Sequence, residues 1–301
     1  MKRIAIMLVL ACTVHAAPAQ HPTIPLYQNT IPNARVTPAW YREKDSLGRI
    51  FQVSVPALIP YFPEKENTNG TAILIFPGGG YRLLSMPTAE EMAKALAENG
   101  ITAFIVKYRL PHDSIMKDKS TGPLQDAQAA IRLVRSRAKE WNLDPRKVGA
   151  MGLSAGGHLV SSAGTQIGKM LISNTELPDD HPDFMALLYP VIIYDPEVPR
   201  TRENLIGTSP TQAQLDAYST DRQVGPHTAP AFLVHAADDD VIPVKNSLIF
   251  FNALLANKVK SEMHILQNGG HGFGITDLHA KDNWFIAFKS WLTENGFLKQ
   301  D

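Results

Sequence analysis

The chain has one cysteine, no net charge and no apolar run long enough to cross a membrane. Each absence removes a class of answer. The lone Cys12 lies in an N-terminal leader, so the remaining chain has no disulfide with which to staple a small scaffold. With 29 Lys+Arg against 29 Asp+Glu there is no electrostatic case for a nucleic-acid partner, and a neutral substrate is favoured over a charged one. The apolar run Ile4 to Ala11 is too short to span a bilayer, so no membrane span is expected. His112, His181, His227, His264 and His279 show no metal-site spacing, and Asp238-Asp239-Asp240 lacks the spaced oxygen ligands of a calcium loop. No metal or organic cofactor is required. Internal repeats, linkers and any signal for an oligomeric state are also missing.

What is present fits one large domain. The chain has 301 residues, 44% hydrophobic and 19% charged, enough for a full core. Lys2 and Arg3 precede the apolar run, and small residues follow up to Ala17-Pro18-Ala19. This pattern predicts a secretory signal peptide over residues 1–19, a single domain over 20–301, and export to the periplasm or beyond. Val9-Leu10-Ala11-Cys12 offers the alternative of a lipoprotein anchor on Cys12, to which Leu10 is a poor fit.

Residues 21–50, rich in Pro and polar groups, read as an extended arm. Ile50 to Phe62 alternates like the first strands of a sheet, with Pro56 and Pro60 limiting central pairing. Ala72–Phe76, Ile101–Tyr108, Lys147–Met151, Met185–Tyr189 and Ala231–His235 are short apolar runs of the kind buried on both faces, and Glu262–Leu266 is a last strand. Helices are expected over Thr88–Asn99, closed by Gly100, and over Leu124–Trp141, with an apolar stripe of Leu124, Ala127, Ile131, Val134 and Ala138. Others follow at Ala155 to about Gly168, at Asn246–Val259 with Leu248, Phe251, Leu254 and Leu255 spaced as a helix, and at Asp282–Asn295 with Trp284, Phe288, Trp291 and Leu292 inward. Residues 196–229 have the length of a small helical lid. Strands alternating with helices predict a mostly parallel central sheet covered on both faces.

One stretch organises the rest. Gly152-Leu153-Ser154-Ala155-Gly156 is G-x-S-x-G, placed between an apolar strand and a helix, where a serine stands on a sharp turn. The pattern arises by chance in roughly one chain in ten of this length, so its context decides. A serine hydroxyl needs a base, and the base an orienting acid. Both follow at strand ends in the required order: Asp238, Asp239 or Asp240 as the acid, then His271 within Gly269–Gly274 as the base. Backbone N–H groups of Ala155 and of Gly79 or Gly80, in Pro77-Gly78-Gly79-Gly80-Tyr81, would form the oxyanion hole. Tyr81 and Phe273, on loops, are candidate substrate-binding residues. His158 and His235 read as internally bonded rather than reactive.

These residues resemble the α/β-hydrolase esterases, particularly the bacterial carbohydrate-esterase-like group related to acetyl xylan esterases, from about Ile50 to Leu298. Pro77–Tyr81 is similar to the oxyanion loop, Val106–Pro111 to the end of the next strand, and Gly152–His158 to the elbow. His235-Ala236-Ala237-Asp238-Asp239 is similar to the acid loop, with Ala236 where many relatives have glycine. The resemblance makes Asp239 the acid. It implies an α/β-hydrolase fold and a secreted serine esterase acting on short acyl esters, with acylated carbohydrate such as acetylated xylan, or another small ester, as substrate. Pro77 before the glycines departs from hormone-sensitive-lipase relatives. The alternatives are a prolyl-oligopeptidase-like peptidase, for whose large extra domain 301 residues leave no room, and a non-catalytic binding protein on the same fold.

Overall fold

The computed structural model describes residues 22–64, 67–165, 171, 180–194, 199–276 and 284–299. The expected signal peptide with Cys12, the end of the elbow helix, the first residues of the 196–229 insertion and His279 lie outside them. The chain opens with β1 (Ile24–Pro25), β2 (Lys44–Ser46), β3 (Arg49–Phe51), β4 (Ala57–Tyr61), β5 (Ala72–Phe76) and β6 (Leu83–Ser85). Next come α1 (Met86–Glu98), β7 (Thr102–Lys107), α2 (Gly122–Ser136), β8 (Val148–Leu153), α3 (Ala155–Thr165) and β9 (Met185–Leu188). The remainder is α4 (Pro199–Ile206), α5 (Gln212–Tyr218), β10 (Ala231–Ala236), α6 (Lys245–Ala256), β11 (Ser261–Leu266) and α7 (Trp284–Glu294).

Eight strands form one sheet in the order β1-β4-β7-β5-β8-β9-β10-β11. At one edge β1 pairs with β4 and β4 with β7 antiparallel, and the pairings from β7 through to β11 are parallel. The apolar runs end up where both faces are covered: every residue of β5, β8, β9 and β10 is buried. Right-handed crossovers that reverse direction after β7 put α1 and α2 on opposite faces. α7 joins α1, with Lys289 Nζ donating to Asn99 Oδ1 at 2.7 Å. Pro60 is tolerated in β4 because β1 pairs only with Ala57 and Leu58, leaving Pro60 on an open edge.

Local chemistry sets the helix ends. Gly100, at φ 77, closes α1 as its left-handed C-cap. α2 stops at Ser136 rather than Trp141, because the chain tightens into turns there, with Glu140 N–H donating to Arg137 O at 3.0 Å. Its apolar stripe is buried as expected. In α6 the inward face differs from the expected one: Leu248 and Leu255 are exposed, while polar Asn246 and Ser247 are fully buried. Both polar groups have work inside, since Asn246 Oδ1 accepts from the N–H groups of Ile192 and Ile193 at 2.9 and 3.1 Å.

Three peripheral pieces frame the site. The arm is held by a buried pair: Arg109 bonds Asp126 at 2.8 Å, Tyr27 Oη donates to the same carboxylate at 3.0 Å, and Arg109 donates to Pro32 O at 2.9 Å. A small antiparallel sheet, β2-β3-β6, stands beside the ends of the main strands. The described part of the insertion is α4, α5 and a 3-10 turn over Thr220–Gln223. It is tied down rather than hinged, with Ser161 Oγ of α3 donating to Thr220 Oγ1 at 2.9 Å.

Candidate active site

Loops leaving the C-terminal ends of β5, β8, β10 and β11 converge above the middle of the sheet, where parallel α/β sheets bind ligands. Ser154 follows β8 with φ 54, a left-handed conformation that costs a residue with a side chain roughly 1–2 kcal/mol. Its neighbours hold it there. Ser154 N–H donates to Leu188 O at 3.0 Å, and Ser154 O accepts from Gly157 N–H and Val191 N–H at 2.9 and 3.1 Å. The turn is too tight for side chains at its flanks. A Cβ on Gly152 would come within 2.6 Å of Gly157 Cα, and one on Gly156 within 2.8 Å of Pro77 O.

The histidine loop brings His271 Nε2 to 2.9 Å from Ser154 Oγ and His271 Nδ1 to 2.8 Å from Asp239 Oδ2. The carboxylate only accepts, so Nδ1 carries the ring proton and Nε2 accepts from the serine hydroxyl. Burial acts to raise the Asp239 carboxyl, but hydrogen bonds from His235, His271 and the Ile242 N–H outweigh it and hold it below the usual carboxylate range. Its Oδ1 accepts from the N–H groups of Val241 and Ile242 at 2.9 and 2.8 Å.

The three aspartates divide the work. Asp238 Oδ1 accepts from Gly270 N–H at 2.8 Å and so ties the acid loop to the histidine loop. Asp240 lines the cleft, and only Asp239 meets His271. Behind it sits a second, sealed histidine. His235 Nε2 lies 3.2 Å from Asp239 Oδ2 and 2.9 Å from Ile242 O, both acceptors, so Nε2 carries the proton. Its Nδ1 accepts from the hydroxyl of buried Ser247 at 2.8 Å. The internal bonding expected for His235 is found, and its partner is the acid of the site. That link was not apparent from the sequence, although the four-residue spacing from His235 to Asp239 was its signal.

The oxyanion loop is pinned by its carbonyls. Pro77 O accepts from Tyr108 Oη at 2.8 Å, Gly78 O from Ser85 N–H at 2.9 Å, and Gly79 O from Arg82 N–H at 3.0 Å. Gly80 O accepts from Asn204 Nδ2 of α4 at 2.8 Å. Because each peptide is planar and trans, fixing a carbonyl fixes the next residue's N–H in the opposite direction. Among the described residues no partner engages the N–H of Gly79 or Gly80, and both glycines line the cleft. Ala155 N–H opens α3 directly after Ser154, at the positive end of the helix. The arrangement offers preset donors to a developing negative charge.

The cleft over Ser154 holds about 700 Å³ and is bounded by Leu83, Tyr189, Val241 and Ile242, with Arg49 and Arg200 at its rim. The expected role of Tyr81 and Phe273 in the cleft over Ser154 is corrected here: neither lines it, and Tyr81 borders a neighbouring cavity instead. Tyr81 is 2% exposed and its hydroxyl donates to His158 Nδ1 at 2.9 Å, leaving Nε2 to donate to Tyr218 O at 2.8 Å. Phe273 is equally buried and packs on Tyr189 with ring centroids 4.8 Å apart. Loop position misled in both cases, because each ring folds under its loop into the core. Tyr189, at the end of β9, takes the cleft-lining place, with its ring 4.9 Å from that of His271. Among the described residues no group of three metal-ligating side chains is found.

Comparison with known proteins follows the same lines. The family model described as BD-FAE matches residues 59–254. An acetylxylan esterase of Xylanibacter ruminicola is 37% identical over 244 residues, which is 78% of this chain and 48% of that protein. Endo-1,4-beta-xylanase B of Butyrivibrio fibrisolvens is 30% identical over 238 residues, 78% of this chain and 36% of that protein. The chain therefore spans about half or less of the length of these relatives. The acetyl ester-xyloside bifunctional hydrolase of Caldicellulosiruptor lactoaceticus matches in structure with a TM-score of 0.79 and 33% identity, covering 93% of this chain and 98% of that one.

Proposed function

The chain belongs to the BD-FAE family and has the α/β-hydrolase fold of its esterase relatives, and from that premise we propose that it is a serine esterase removing short acyl groups, chiefly acetyl, from carbohydrate. Acetylated xylan or its oligosaccharides are the substrates this reading favours, given what the relatives are named for. The observation that carries it is the unbroken run from Ser154 through His271 to Asp239, at 2.9 and 2.8 Å, beneath an open cleft.

In this mechanism His271 Nε2 takes the Ser154 proton as Oγ attacks the ester carbonyl. The oxyanion forms against the N–H groups of Ala155 and of Gly79 or Gly80. His271 gives the proton to the departing sugar oxygen, which leaves as a hydroxyl, and a water activated by the same ring then releases the acid from Ser154. Asp239 keeps the imidazole in the required tautomer and stabilises it when charged. The N-terminal leader supports export to where polysaccharide is met, and fractionation of cells producing the full chain tests that part.

The chemistry is tested by comparing p-nitrophenyl acetate, longer acyl esters, acetylated xylan and a peptide on one preparation, together with Ser154→Ala. We expect acetyl esters to be preferred and Ser154→Ala to lose at least about 10⁴-fold in kcat. Full turnover by Ser154→Ala would sink the mechanism. Preference for long acyl chains would overturn the acetyl assignment, and peptide cleavage would favour the peptidase alternative. Failure of a fluorophosphonate to label Ser154 would point to a binding protein.

A further inference from the structure

Beside the ester cleft lies a second cavity of about 450 Å³, and two of its lining residues carry an unpaired charge. Lys44 of β2 and Arg82, just before β6, line it, and neither has an ion-pair partner among the described residues. His112 lines it too. Its Nδ1 accepts from Ser114 N–H at 3.1 Å, so in the neutral ring Nε2 carries a proton with no acceptor among the described residues. No carboxylate contributes to the wall. Gln52, at φ 55, lines the cavity as well.

A ligand that fits the cavity carries a carboxylate for these cationic donors. The cavity's apolar wall includes Tyr41 and Phe51, flat faces suited to a sugar ring. Its position joins it to the cleft. β3 gives Arg49 to the cleft and Phe51 to the cavity, about 7 Å apart along the strand. α4 gives Thr201 to the cleft and Asn204, one turn on, to the cavity. The two spaces are therefore side by side across the oxyanion loop. The zero net charge that favoured a neutral substrate conceals an uneven distribution: among the described residues lining the two spaces are Lys44, Arg49, Arg82 and Arg200 against the single carboxylate of Asp240.

We propose that this cavity is a subsite for a uronic-acid unit of an acylated oligosaccharide whose ester sits at Ser154, so that acidic acetylated glycans are selected over neutral ones. The proposal rests on the esterase reading for the identity of the neighbouring site, and its binding test does not depend on turnover. Titration calorimetry with Ser154→Ala would compare an acetylated xylo-oligosaccharide bearing a glucuronic-acid branch with its unbranched counterpart. We expect the acidic ligand to bind about tenfold tighter at low salt, since its contacts are charge-assisted, and the advantage to shrink in 0.5 M salt by screening (about a 4 Å Debye length). Adding K44Q and R82Q should erase the difference, and the kcat/KM ratio of acidic over neutral substrate in the Ser154 enzyme should fall by about the same factor. Thermal unfolding would verify that the variants are folded. Equal affinities for the two ligands, or a preference untouched by K44Q and R82Q, would overturn the subsite and leave the esterase reading standing. A clear acidic preference in a protein that does not turn over p-nitrophenyl acetate would do the reverse.

Discussion

Two histidines meet the same oxygen of Asp239, and their surroundings differ completely. His271 opens to the cleft and has a hydroxyl beyond it, so its Nε2 can gain and lose a proton. His235 is fully buried, and its Nε2 faces two acceptors that leave the ring only one way to stand. The contact with the carboxylate is similar, but access separates the roles. The open ring can cycle protons, while the sealed ring can only orient the acid.

The comparison is open to attack from the strongest effect downward. His271→Ala should reduce kcat on p-nitrophenyl acetate by at least about 10⁴-fold with little change in melting temperature. A variant that keeps its turnover would invert the assignment of the two rings. His235→Phe should cost between about 10- and 100-fold in kcat by letting Asp239 shift, and roughly 1–3 kcal/mol of stability from the polar groups left unpaired. Loss of stability with undiminished kcat would reduce His235 to a core residue.

A third histidine shows what sealing does in the absence of a carboxylate. Burial lowers His158 to about 4, against the opposing hydrogen bond with Tyr218 O. From pH 6.5 down to about 4 the unfolded chain takes up a proton there that the folded chain refuses. Stability should therefore fall by about 3 kcal/mol across that window and show no further loss from this group below it. Urea midpoints at pH 7, 5.5 and 4 measure this, and a flat series would mean the ring is not sealed. The smallest effect belongs to Ser247→Ala, which should cost about 1 kcal/mol and less than threefold in kcat. A larger loss of activity would extend the working part of the site to α6.

What the sequence revealed was local or ordered along the chain. The elbow could be read because strand, serine and helix are contiguous, and His271 because strand ends must follow in order; that order left Asp238, Asp239 and Asp240 open, and the family resemblance chose Asp239. The glycine loop was visible for the same reason. What escaped depends on contacts between distant segments. Tyr81 and Phe273 sit on loops yet turn inward, and only the depth of the core beneath them decides that. Asn246 and Ser247 break the apolar stripe of α6 because their partners, Ile192 and His235, come from other strands' ends. Likewise, Lys44 and Arg82 are ordinary surface cations in sequence, 38 positions apart, until the small sheet sets them on one cavity.

The amide of Asn204 on the Gly80 carbonyl has a practical consequence for anyone redesigning this protein. The insertion that borders the cleft also holds one corner of the oxyanion loop, so substrate choice and catalytic power share a fastening. A loop graft chosen to improve fit, but lacking an amide at position 204, would release that corner. The resulting protein would bind its new ester well and turn it over slowly.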